Sequence, residues 1–307
     1  MRQVRCALLT GTSGGGTVRA VLSVGTWNIA RLGWSPGKGH HRLAAALEWL
    51  LAQTPVPPDV LGLPEGTHCL RDGQRVLRRD VVARLSTALR HGWYEPFVSV
   101  RPGHRNHPVL LVNTAVVRPL EWHDPQAADV PLRRQGFLIA DIHGVETALC
   151  CEHWQGGLGR TAFDQAANRL ATWGRTAALI VGDFNATSGW YREHLPTDWF
   201  KVCARRGELH KIEQKAWHNP ATGRWKIDTR QLDKLRTLYG FRDMGEQAGD
   251  PTVTTSPDAD GVGLRIDRIF RGAGLSAAVD AYRVVQPPPE LSDHAYVHGA
   301  YRLTRRV

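Results

Sequence analysis

The chain has 307 residues, with 39 Lys or Arg against 29 Asp or Glu, for a formal net charge of +10. That balance favours a polyanionic partner, either nucleic acid or an anionic surface. Five cysteines, two of them adjacent (Cys150 and Cys151), show no C-x-x-C or H-x-x-x-H spacing, which argues against a disulfide framework or structural zinc, and no apolar run approaches the roughly 20 residues of a membrane-spanning helix.

Residues 1–20 carry the run GTSGGGT, which lacks the Lys of a phosphate loop, and read as a flexible tail. They hold no apolar core of about 7–15 residues, as a signal peptide would need, so a cytoplasmic protein is expected. Residues 21–307 read as one domain, long enough to bury a large core. A strand is expected over 21–29, then a helix over 41–52 with Leu43, Leu47, Leu50 and Leu51 on one face. The strand 59–64 ends at Glu65. A second helix over 74–90 shows Val81, Leu85 and Leu89 at four-residue spacing. Strands dominate 93–154, with Gly144 as a hairpin turn. Helix 161–173 presents Phe163, Ala166, Leu170 and Trp173, and strand 177–182 follows. After an irregular stretch, 229–239 is again amphipathic, and short strands carry Asp267 and then Asp293 and His294. Helices outside and strands inside predict an α/β four-layer sandwich, α/β/β/α, with two packed mixed sheets flanked by helices.

Six short islands hold the polar groups of interest: TWNIA (26–30), LGLPEGTH (61–68), LCCEHW (149–154), LIVGDFNAT (179–187), LRIDRIF (264–270) and LSDHAYV (291–297). Four pair an apolar run with polar groups at or after its end, where parallel-rich sheets place their working residues. Hydrolysis of a phosphodiester needs a cation on the phosphoryl oxygens, an activated water and stabilisation of the leaving alkoxide. Mg²⁺ and Mn²⁺ prefer carboxylate oxygens and water. Glu65 and Asp293 are therefore the expected metal ligands, with the Asn28 amide on the metal or a phosphate oxygen. Asp293 and His294 are adjacent, so in extended backbone their side chains point to opposite sides.

The order of the islands, above all GDFN and SDH and then RIDRIF, resembles the endonuclease/exonuclease/phosphatase superfamily over about Val21 to the C-terminus. The resemblance implies the four-layer fold and a metal-dependent phosphodiesterase. It implies that Asp267 orients His294, that Asn185 contacts phosphate or metal, and that Asp183 helps activate the water. Asp183 and His294 are both candidates to take the water's proton. His153 matches a position whose side chain contacts the phosphate or protonates the leaving group, and Arg134 (or Arg133) one that supports phosphate binding. Three departures stand out. Pro64 replaces the usual Gln, Asn106 or His107 occupies the place of the glutamate that would partner His153, and Gly66-Thr67-His68 lacks the Lys typical of abasic-site enzymes.

Residues 201–242 hold eleven Lys or Arg against four acids within a basic insertion spanning 188–242. Trp199, Trp217 and Trp225 are interleaved there, as in a surface that stacks bases and neutralises phosphates. Lys211, Lys215, Trp217, Arg224, Trp225 and Lys226 are the expected substrate contacts. The reading is a monomeric Mg²⁺- or Mn²⁺-dependent nuclease, an endonuclease acting on DNA. The alternative on the same scaffold is a phosphatase or phospholipase acting on inositol phosphates, nucleotides or sphingolipids. Arg265-Ile266 in place of the Trp-Cys pair of inositol polyphosphate phosphatases disfavours it. A silent binding module does not explain why Glu65, Asp183, Asp293 and His294 are all present.

Overall fold

The computed structural model describes residues 17–100, 105–124, 134–154, 159–195, 199–209, 212, 215–255 and 263–306. Apolar alternation builds two six-stranded sheets. The first contains β1 (Thr17–Thr26), β2 (Val60–Thr67), β3 (Tyr94–Val98), β4 (Asn106–Asn113), β13 (Ala277–Val285) and β14 (Tyr296–Arg306), in the order β13-β14-β1-β2-β4-β3. The second contains β5 (Val117–His123), β6 (Phe137–Ile142), β7 (Val145–His153), β8 (Ala178–Asp183), β11 (Arg242–Asp243) and β12 (Asp267–Arg271), in the order β11-β12-β8-β7-β6-β5. A separate hairpin pairs β9 (Ala216–Asn219) with β10 (Arg224–Ile227). Both large sheets are mixed, because β1 runs parallel to β2 and β7 parallel to β8 while their other pairings are antiparallel.

Alternation decides which residues fill which layer. Along β2, Val60 joins Leu22, Val24, Leu149, Leu179, Val181 and Ile269 between the two sheets. Leu61 and Leu63 face the other way, against Leu47 and Leu50 of the helix Leu43–Gln53 and against Val81 and Leu85. The outer face of the second sheet is covered by the helices Gly159–Leu170 and Arg230–Thr237, which bring Leu170, Leu232 and Leu235 onto Cys150, Ile180 and Phe270. Each such side chain contributes roughly 1.5–3 kcal/mol by leaving water. The expected α/β/β/α sandwich is the observed fold.

Element boundaries differ in informative ways. β1 begins at Thr17, inside the stretch expected to be tail, and ends at Thr26, so Asn28 lies just past the strand. The expected helix 74–90 is a composite whose middle, Val76–Val82, is a π-helical turn. Glu65 lies inside β2 rather than after it. There the register slips between Leu63, opposite Val109, and Gly66, opposite His107, leaving one extra residue on β2. Pro64 has no N–H for the ladder, so the departure from the usual Gln coincides with a β-bulge that re-aims Glu65. Gly62 keeps the sheets close at this level, since a Cβ there would meet Val181 Cγ2 at 2.5 Å.

Candidate active site

Six strands deliver the predicted residues to one end of the sandwich. Three of them stand side by side across the second sheet. His153 on β7 is opposite Asp183 on β8, and Asp183 is opposite Asp267 on β12. The residue before Asp183 must be glycine: Gly182 has φ 145°, and a Cβ there would fall 1.9 Å from the Glu152 carbonyl oxygen. The first sheet contributes Asn28 after β1, Glu65 from the bulge in β2, and Asp293 and His294 just before β14.

The contacts join both sheets. His294 Nδ1 lies 2.9 Å from Asp267 Oδ2, which leaves Nε2 4.0 Å from Asp183 Oδ2. Asp183 accepts from Asn28 Nδ2 at 3.2 Å, from the Asn185 backbone N–H at 2.9 Å and from Asn185 Nδ2 at 3.2 Å. His153 Nε2 is 3.4 Å from Glu65 Oε1 and 3.8 Å from Asp183 Oδ2. The Arg31 backbone N–H donates to Glu65 Oε2 at 2.9 Å. The His294 loop is held in turn. Trp27 Nε1 donates to its carbonyl at 2.9 Å, and Ser292 Oγ, bonded to the Asn28 carbonyl at 2.6 Å, receives the His294 N–H at 3.0 Å. Thr254 Oγ1 accepts the Asp267 N–H at 2.9 Å, fixing the start of β12.

A profile of the Endonuclease/Exonuclease/phosphatase family matches residues 25–294. The chain belongs to this family. No curated protein sequence matches the chain. Solved structures of similar fold include an AP endonuclease from Archaeoglobus fulgidus (TM-score 0.58, 16% identity, 92% of this chain and 99% of that one). A humanized D. rerio TDP2 gives TM-score 0.54 at 17% identity over 92% of this chain and 98% of its own. The 3′ phosphatase NExo from Neisseria, bound to product DNA hairpin, gives 0.54 at 20% identity over 91% and 98%. At these identities the likeness is one of fold.

Electrostatics in this family member's cleft are unbalanced. Asp267 is fully buried, and burial, reinforced by Asp183, raises its carboxyl despite the opposing pull of His294. Burial alone would depress the His294 imidazole. The Asp267 carboxylate, by charge and hydrogen bond, with Asp183 and Asp293, outweighs that and pushes it up to about 10. Asp183, Asp267 and His294 bring ligand-type atoms within 4.8 Å of one another. In this trio the Asp267 carboxylate is already bonded to His294. The oxygens that open outward are those of Glu65 and Asp293, which line a cleft of about 310 Å³ together with Asn28 and His294. Asn28 is 1% exposed and its Oδ1 has no hydrogen-bond donor, an acceptor aimed where a cation would satisfy it. These hard oxygen donors fit Mg²⁺ or Mn²⁺.

Sequence reasoning missed one wall of the cleft, made by Arg31, Trp34 and Arg42. Ala30, Arg31 and Leu32 all have positive φ (28°, 62° and 53°), a turn with no recognisable motif. Trp34 meets His68 edge-on at 4.7 Å, and burial together with Arg71, Arg105 and His40 lowers the His68 pKa. The basic insertion divides. Arg224, Trp225 and Lys226 are exposed on the β9–β10 hairpin, and Arg230 lies 5.4 Å over the half-buried Trp217 ring. Two expectations there fail. Trp199 is only 2% exposed, packed with Val202, Cys203 and Ile266, and stacks no base. Lys215 is 4% exposed and points inward to Asn185. Lys211 lies outside the described residues. Arg134 is exposed on the turn before β6.

Proposed function

We propose that the protein is a metal-dependent phosphodiesterase acting on DNA. The observation that carries this reading is the lateral row His153–Asp183–Asp267, bonded through Asp267 to His294, which lines one cleft with Glu65 and Asp293. Glu65, Asp293 and the Asn28 Oδ1 would hold a Mg²⁺ or Mn²⁺ ion, which when bound polarises a phosphoryl oxygen and neutralises developing charge.

The chain's own residues supply the rest. Asp267 holds His294 with its Nδ1 occupied, so Nε2 presents its proton to a phosphate oxygen. Asp183, oriented by three N–H donors, takes the proton of the attacking water. His153 adds a second N–H beside Glu65, in a site where Asn106 or His107 stands in place of the glutamate partner of related histidines. Asn106 accepts instead from Thr67 Oγ1 at 2.5 Å. Asn185 braces Asp183 from the far side. A DNA substrate is supported by the exposed Arg224, Trp225 and Lys226, by the Arg31–Trp34–Arg42 wall, and by structural neighbours that act on DNA, including a D. rerio TDP2 complexed with single-strand DNA product. The proposed reaction is endonucleolytic and the proposed enzyme a monomer. Among the described residues, no helix is long and apolar enough to cross a membrane.

The test is substrate comparison with Mn²⁺ or Mg²⁺ present. A labelled DNA oligonucleotide should be cut while inositol phosphates and sphingomyelin are untouched, and Asp293→Ala should abolish turnover with the fold intact. Release of phosphate from inositol phosphates with DNA left whole would move the protein to the phosphatase branch.

A further inference from the structure

Lys215 stands at the centre of the most basic stretch of the chain, where a lysine is expected to meet solvent and phosphate. Among the described lysines it alone is buried. Burying an ammonium group costs several kcal/mol unless hydrogen bonds replace its water. Its Nζ donates to the Asn185 carbonyl oxygen at 2.5 Å and to Asn185 Oδ1 at 2.9 Å.

The second bond has a directional consequence. An ammonium only donates, so it selects the amide orientation with Oδ1 toward Lys215. Asn185 Nδ2 is then turned to the Trp154 carbonyl at 2.8 Å and to Asp183 Oδ2 at 3.2 Å. The opposite flip would set two donors face to face and withdraw a donor from Asp183. The first bond grips a residue whose backbone is left-handed, with φ 48°, a conformation that needs external support in a non-glycine residue. Lys215 is also the base of the exposed hairpin. Its carbonyl accepts the Asp228 N–H at 2.7 Å, and the next pair outward is Ala216 with Ile227.

We propose that Lys215 is a positioning residue of the catalytic centre. Its ammonium fixes the Asn185 amide against Asp183, and its backbone ties the hairpin bearing Trp217 and Trp225 to the reacting groups. The inference rests on the phosphodiesterase reading of this site, which it deepens.

The test uses the full chain and two substrates, bis(4-nitrophenyl) phosphate and supercoiled plasmid, with Mn²⁺. Lys215→Met should lower kcat about 10–100-fold on both substrates, the scale of a displaced supporting group, while KM and the melting temperature stay near wild type. In an Asn185→Ala background the same substitution should add almost nothing, because both changes remove one interaction. A rise in KM confined to plasmid, with a salt slope lower by about one, would overturn the proposal in favour of a phosphate contact. Independent, multiplicative losses in the double variant would also overturn it. Should Lys215→Met not fold, Lys215→Arg, which keeps a cation and its donors, should retain most of kcat while Lys215→Gln does not; equal rates for the two would contradict the role. If the wild type turns over neither substrate, the reading of the site falls. The Asn185 side-chain amide resonances then still judge Lys215, since they should move in Lys215→Met, and unmoved signals would sink the inference.

Discussion

Two buried charge clusters share the start of β12, and they are built in opposite ways. In the first, Asp243 is surrounded by Arg265 Nη1 at 2.8 Å, Arg268 Nη1 at 2.5 Å and the Gly245 N–H at 2.9 Å, all within a fully buried nest. Burial would raise the Asp243 carboxyl, but the two guanidiniums hold it well below the usual carboxylate range. In the second, Asp267 is bonded to the His294 imidazole with the Asp183 carboxylate beside it, and the Asp267 carboxyl is pushed up instead. The same depth of burial therefore produces opposite shifts. A cluster with two cations about one anion needs no further cation. One with more anions than cations, opening onto a cleft with an unsatisfied Asn28 Oδ1, has room for a further cation. Surplus negative charge with an unfilled acceptor, rather than unfilled donors beside surplus positive charge, is what the proposed metal site has and the structural cluster lacks.

Breaking the closed cluster should have the largest effect, and on stability. Asp243→Ala leaves two buried guanidiniums uncompensated and should lower the unfolding free energy by about 3–5 kcal/mol, read from urea denaturation. Its folded fraction should retain the metal-dependent rate per active molecule. A loss of under about 1 kcal/mol would mean that the triad is not the anchor described here. The sign of its pH dependence follows from the depressed carboxyl. The Asp243 contribution is complete above about pH 4, the ordinary carboxylate value, and is lost only as the pH falls below it.

Breaking the open cluster should act on rate instead. His294→Ala should lower turnover per folded molecule by at least about 10²-fold, the usual scale for losing a preorganised donor to the reacting group. The His294 pKa, raised to about 10, carries the opposite pH sign from Asp243. Its contribution to the metal-free fold is present below about pH 6.5 and is lost as the pH rises from there toward 10. A urea series across that interval should show declining stability in the wild type and a flatter profile in His294→Gln. Parallel profiles would detach His294 from Asp267.

The smallest effect belongs to the hairpin surface. Arg224→Glu with Lys226→Glu should weaken DNA binding and flatten its salt dependence while leaving a small diester untouched. Equal losses on both substrates would show that the hairpin serves the reacting centre alone.

What was legible in the sequence divides along a physical line. GDFN and RIDRIF were readable because strand ends, a glycine forced by the Glu152 carbonyl and short polar runs are local signals. The four layers were readable because period-2 and period-3.6 patterns rarely overlap. Lys215 and Trp199 were not, since a basic, tryptophan-rich stretch looks solvent-facing until tertiary contacts choose which members turn inward. Pro64 read as a departure, and its meaning as a bulge emerged only beside its partner strand. The Arg31–Trp34 wall depends on three consecutive positive-φ residues that are not glycine, which no local preference announces.

The most direct measurement of the central claim is nicking of supercoiled plasmid with Mg²⁺ or Mn²⁺, with and without EDTA, beside the His294→Ala protein. Nicking by the wild type that EDTA abolishes and the variant lacks is the predicted result. Nicking that survives EDTA or persists unchanged in His294→Ala would contradict a metal-dependent DNA phosphodiesterase built on this cluster.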